Sequence, residues 1–135
     1  MEQEQKDLFL KDLCARLPYE VKCQIDFDNE EDACLGIERY CDDIIVSVCI
    51  ETEEIGLYGE SAFLYPGDIK PYLRPMSSMT EEEKEFYASM FIEYDGGYFT
   101  DFPDTLVDWL NKNMFDYRGL IPMGLALEAK EGMYD

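Results

Sequence analysis

At Pro18 the hydrophobic period of this chain changes from that of a helix to that of a strand. Before it, Leu10, Leu13, Cys14 and Leu17 recur at the i, i+3, i+4, i+7 spacing, which predicts a helix over residues 1–17. Lys6, Lys11, Asp12 and Arg16 are left for its solvent side. Pro18 ends the helix because a proline pushes the residue before it out of helical geometry. After it, Val21, Cys23, Ile25 and Phe27 alternate with Lys22, Gln24 and Asp26, the period-two mark of a half-buried strand. Strands in one run and helices in another define an α+β chain.

The strands continue over residues 33–40, with Leu35 and Ile37 inward, and 44–51, with Ile44, Val46, Val48 and Ile50 on one face. Residues 28–32 are too polar to pack and form a turn between the first two strands. Gly56 and Gly59 interrupt an extended stretch over 55–64, and glycines inside a strand favour bulges and bends that curl a sheet. In DIKPYLRP (68–75), Pro71 and Pro75 restrict the chain to a sheet edge or a surface crossing. Thr80 and Glu83 have capping-box spacing, with Glu81, Glu82 and Glu83 at the positive end of the helix dipole. That helix buries Phe86, Tyr87, Met90 and Phe91; Tyr94 to Gly97 form a turn, and 98–100 a short strand. Pro103 opens a further helix to about Asn113, with Leu106, Trp109, Leu110 and Met114 inward. Asp116 caps a short turn over 117–121, and 125–127 are extended. The expected architecture is an N-terminal helix, a small curled, barrel-like antiparallel sheet, then two or three C-terminal helices. One core serves a single domain over 1–135.

Charge then limits what such a domain does. Thirty-one acidic side chains face eleven basic ones, a net charge of -20. Between Asp26 and Glu60 twelve carboxylates face Arg39 alone. With 47% apolar and 14% aromatic residues the chain is too rich in core material for a disordered acidic tail. Its surface repels nucleic acid and anionic membrane, whose binding needs Lys and Arg, and favours a basic protein partner or simply solubility. The oligomeric state is open.

The absence of histidine removes the Ser–His–Asp and Cys–His triads and most zinc and iron sites. The five cysteines, Cys14, Cys23, Cys34, Cys41 and Cys49, are odd in number and have no Cys-x-x-Cys spacing, and the N-terminal residues lack a secretory apolar run. Reduced thiols in a cytoplasmic protein are therefore expected. Cys14 and Cys23 fall on apolar faces as small hydrophobes. An EF-hand loop starting at Asp26 would need glycine and glutamate where Glu31 and Ile37 stand; a calcium site of another kind stays open there. No phosphate-binding glycine loop or nucleophile elbow is present, so no catalytic, cofactor or metal residue is assigned. Two segments stand out as candidate interaction sites: Tyr72 and Arg74 on the proline-stiffened DIKPYLRP, and Asp116, Tyr117 and Arg118 before Gly119. Each also has a packing explanation, with the arginines paired to local carboxylates and the tyrosines sealing the sheet-to-helix junction.

DIKPYLRPMSSMTEEE (68–83), FDYRGLIPMGLALEAKEGMY (115–134) and KDLCARLPYEVKC (11–23) resemble segments of small proteins from Bacteroides-group bacteria and their phages or mobile elements. The chain departs from that pattern at Met114, where histidine is frequent, and at Pro122-Met123, where a charged pair is usual. The resemblance implies a full-length accessory protein of a mobile genome and brings no activity with it. Three functions follow as expectations: a non-enzymatic interaction or regulatory protein; a DNA-mimic inhibitor of a DNA-binding protein; and a small enzyme using carboxylates with a divalent metal.

Overall fold

In the computed structural model, residues 1–26, 40–59 and 63–134 are described. Helix α1 (Gln3–Arg16) leads into a single 3-10 turn (Leu17–Tyr19) that contains Pro18. Strands β1 (Lys22–Asp26), β2 (Tyr40–Cys49), β3 (Glu54–Leu57) and β4 (Ile69–Leu73) follow. Helix α2 (Glu81–Ser89), a hairpin of β5 (Ile92–Tyr94) and β6 (Gly97–Phe99), helix α3 (Pro103–Lys112) and the short β7 (Leu127–Glu128) complete the order. The result is α+β, with two helices after the main strands.

The sheet differs from the curled antiparallel barrel that the glycines suggested. Five strands lie in the order β3-β2-β1-β4-β7, antiparallel except for the parallel β4–β7 pair, and β3 and β7 stand at opposite edges. The sheet is mixed and open because, among the described residues, no pairing joins those edges. Gly56 and Gly59 serve close approach instead: a Cβ at Gly56 would stand 2.2 Å from the Ser47 hydroxyl oxygen, and one at Gly59 2.8 Å from the Asp43 carboxylate. The expected strand over 33–40 lies outside the described residues, except for Tyr40 at the start of β2.

β2 holds the second correction. Its pairing with β3 jumps between Ile45 and Ser47, so Val46 is the extra residue of a bulge. The inserted residue reverses the alternation. Ile45 and Val48 both reach the core, whereas Val46 is 53% exposed; Ile50, 57% exposed, lies past the end of β2 in the turn to β3. A strict period of two had put Val46 and Ile50 on Val48's face.

β4 stands between β1 and β7 in the sheet order, but at Pro71 itself it is paired on one side only. Cys23 pairs with Pro71 on one side, while β7 covers only Tyr72 and Leu73 on the other. Pro71 stands just before the stretch that β7 reaches, so the strand tolerates its missing N–H there.

One core cluster joins Phe9, Leu10 and Leu13 of α1 to Cys23, Ile25, Ile45, Ile55, Ile69 and Leu73 of the sheet. A second gathers Met79, Met90, Leu106, Leu110 and Phe115 around α2 and α3, with Tyr87, Phe91 and Trp109 packed against it. Phe86, expected inside, is 41% exposed. The Thr80–Glu83 capping box forms as its spacing requires. No helix among the described residues is long and apolar enough to cross a membrane.

Candidate functional site

α1 carries two charges on its buried side. Asp12 and Arg16, expected in solvent, are both fully buried. They stand four residues apart, one helical turn, and the guanidinium grips the carboxylate with Nε–Oδ2 of 2.8 Å and Nη2–Oδ1 of 3.0 Å. Nη2 also donates to the Phe115 carbonyl at 2.7 Å, and Arg118 reaches the same Asp12 carboxylate at 3.0 Å. The Tyr117 ring lies within 5.4 Å of the Arg16 guanidinium carbon and 4.8 Å of that of Arg118, while its hydroxyl donates to Asn111. Asp116 accepts from the backbone N–H groups of Leu120 and Ile121, the capped turn its position suggested. Asp116, Tyr117 and Arg118 thus come together as part of a buried clasp between α1 and the chain after α3.

Tyr72 and Arg74 project from the other end of the same network. The backbone of Arg74 bridges to the turn after α3, donating to the Met114 carbonyl and accepting from the Asp116 N–H. Its guanidinium lies 4.2 Å from the centre of the Phe115 ring and holds Glu83 through both nitrogens, at 2.9 and 2.6 Å. This contact joins the sheet to the α2 cap. Arg74's hydrogen bonds draw the Glu83 carboxyl below its ordinary 4.5. Tyr72, also buried, donates to Asp42 at 2.8 Å under the Lys130 ammonium.

Sequence reading missed the C-terminal segment that covers this face. Tyr134 donates to the Tyr72 carbonyl at 2.7 Å and accepts from the Lys22 N–H at 3.0 Å. Lys22 Nζ donates to the Met133 carbonyl, and Lys130 pairs with Asp42 at 3.1 Å. Residues 130–133 form a wall shared by two clefts. One, of about 490 Å³, is also lined by Arg74, Ser78, Glu83 and Asn113; the other, of about 480 Å³, by Lys22, Asp42, Asp43 and Ile44. Burial pushes the Asp42 carboxyl up, but hydrogen bonds from Tyr72 and Lys130 and the charge of Lys130 together carry it below its ordinary value. Lys130 is raised by its hydrogen bonds to Asp42 and Tyr72. Asp42 and Lys130 are members of one ion pair beside the cleft.

Other candidate features are peripheral to this network. Cys14 is half-buried, its thiol raised by burial. Cys49 is exposed at the β2–β3 turn, lowered by the hydrogen bond with Thr52. No three carboxylates or cysteines gather closely enough to hold a metal among the described residues. The acidic 26–60 stretch, on which the calcium and DNA-mimic expectations drew, is only partly described. Within it Asp43 accepts from the Ile44 and Gly59 N–H groups, and Asp42 faces Lys130.

One exposed patch is aromatic. On the β5–β6 hairpin Tyr94 and Tyr98 are 52% and 68% exposed, Ile92 and Phe99 are exposed beside them, and Phe102 follows at 60%. Its signal in the sequence was YDGGYF, an aromatic-flanked turn with no buried alternation on either side.

Compared with protein-family models, curated proteins and solved structures, the chain gives no significant match. What the geometry itself defines is an α+β domain with an open mixed sheet, fastened to its C-terminal third by arginine–carboxylate and tyrosine contacts.

Proposed function

We propose that this chain is a non-enzymatic interaction or regulatory module that engages a basic protein partner through its exterior. The observation that carries the reading is where its polar chemistry goes. Tyr72, Arg74, Tyr117 and Arg118 tie one chain segment to another and Asp116 caps its own turn, whereas aromatic rings and carboxylates stand exposed on the outside. Groups already paired internally position the fold; rings and charges free on the outside are what a partner meets. The resemblance of three segments to accessory proteins of phages and mobile elements agrees with such a role, and the host supplies the partner. The test is affinity capture from a bacterial lysate with the purified chain as bait, at low and at high salt. The expected result is a basic protein retained at low salt and released at high salt. Recovery of nothing above background in both conditions overturns the proposal.

A further inference from the structure

The β5–β6 hairpin carries more apolar surface than its own packing uses. Its register pairs Ile92 with Phe99, Glu93 with Tyr98 and Tyr94 with Gly97. Ile92, Tyr94 and Phe99 therefore share one face, and Glu93 and Tyr98 the other. A hairpin lying on a core buries one of its faces, yet here both are open: all three residues of β5 are exposed, as are Tyr98 and Phe99. The edge contact of the Tyr94 and Phe99 rings, 5.6 Å between centres, is the hairpin's own aromatic support. A two-stranded ribbon is marginal in water by itself, and exposed aromatic groups of this kind mark contact surfaces. Other exposed apolar side chains include Val46, Ile50, Tyr58, Phe63 and Tyr65.

The charge around the hairpin selects the occupant. From residue 85 to 111 the chain holds Glu85, Glu93, Asp95, Asp101, Asp104 and Asp108 and not one lysine or arginine. A second copy would bring like charge against like charge, and a phosphate-bearing surface would be repelled. A guanidinium group satisfies both halves of the patch. It stacks flat on tyrosine and phenylalanine faces and pairs with carboxylates at its edge, which a compact ammonium does less well.

We propose that the β5–β6 hairpin and Phe102 form the docking surface for an arginine-rich segment of a protein partner, with guanidinium groups over Tyr94, Tyr98 and Phe99 and within reach of the neighbouring carboxylates. This rests on the interaction-module reading and names the chemistry of the partner.

The experiment uses the full chain and labelled arginine–glycine, lysine–glycine and glutamate–glycine repeat peptides of equal length. Fluorescence anisotropy at physiological salt measures binding, and hydrogen exchange locates it. The arginine peptide is expected to bind more tightly than the lysine peptide and to slow exchange over residues 92–104. Tyr94→Ser and Tyr98→Ser leave the net charge unchanged and are expected to weaken binding about tenfold or more. Circular dichroism checks that these variants stay folded, and the paired Glu93→Gln and Asp95→Asn changes give a second probe that keeps the rings. Three results would overturn the inference: serine variants that bind like the parent, protection that falls elsewhere on the chain, or sedimentation showing a dimer that Tyr98→Ser dissolves. Absence of arginine-peptide binding while lysate capture still retains a partner removes this inference alone. Failure of both removes the interaction reading as well.

Discussion

Arg16 is a cation with no exposure to water, and its neighbours explain how the fold tolerates it. Asp12 takes two of its nitrogens and the Phe115 carbonyl shares one of them. Arg16→Met takes away the two hydrogen bonds to Asp12 and the one to Phe115 but leaves Asp12 its contact with Arg118, so it is expected to lower stability by about 1.5–3 kcal/mol, less than for a buried charge left with no partner. Denaturant unfolding measures this, and a loss well under 1 kcal/mol would mean that the clasp contributes little. The four-residue spacing of the pair was visible in the sequence. Its burial was not, because the groups that make burial possible, Phe115 and Arg118, stand about a hundred positions away. Tyr134 offers a second test at this scale. Burial pushes its hydroxyl from 10.0 up to about 12. A raised folded pKa gives stability that is complete below the unfolded value and is lost as pH rises through the folded one. Stability should therefore decline between about pH 10 and 12, and Tyr134→Phe should flatten that decline. In an ultraviolet titration the variant should lose a late-ionising component, while Tyr72, also raised by burial, keeps its own.

Among the elements, α2 was the most legible, since Thr80 and Glu83 specify its start by local spacing alone. Thr80→Ala removes the hydroxyl that accepts the Glu83 N–H and is expected to cost about 1 kcal/mol in thermal or denaturant unfolding. An unchanged midpoint would show that Arg74 alone fixes the helix start. Because the Glu83 carboxyl is depressed, its contribution is complete above its ordinary pKa of 4.5 and fades as acid protonates it. β2 was legible as a strand but not in its facing, since the bulge at Val46 depends on how β3 lies against it. Pro71 spoke for its own position and not for the whole strand. A proline reads as an edge signal, and β7 is so short that β4 is interior only beyond Pro71. The parallel β4–β7 pair joins positions more than fifty residues apart, and no local period announces such a pairing.

For the molecule as a whole, the α+β class and the order of helices and strands were readable from two periodicities. The openness of the sheet was a matter of long-range pairing. The five candidate residues do meet the rest of the chain in specific contacts; of the partners that complete them, Asp12 and Arg16 showed only their spacing, and Asp42, Lys130 and Tyr134 no distinguishing signal. A net charge of -20 sets carboxylates against one another across the surface. Added sodium chloride should screen that repulsion and raise the thermal midpoint; a gain of roughly 1 kcal/mol would move it by about 4 °C. A midpoint that falls with salt would show that the ion pairs outweigh the repulsion. The clip that Tyr134 makes onto Tyr72 and Lys22 has a practical consequence for anyone handling this protein. Trimming the chain back to residue 129 would strip the lid from one side of the sheet and remove the wall that both hollows share. A purification tag or dye belongs at Met1, which is 47% exposed and far along the chain from that seam.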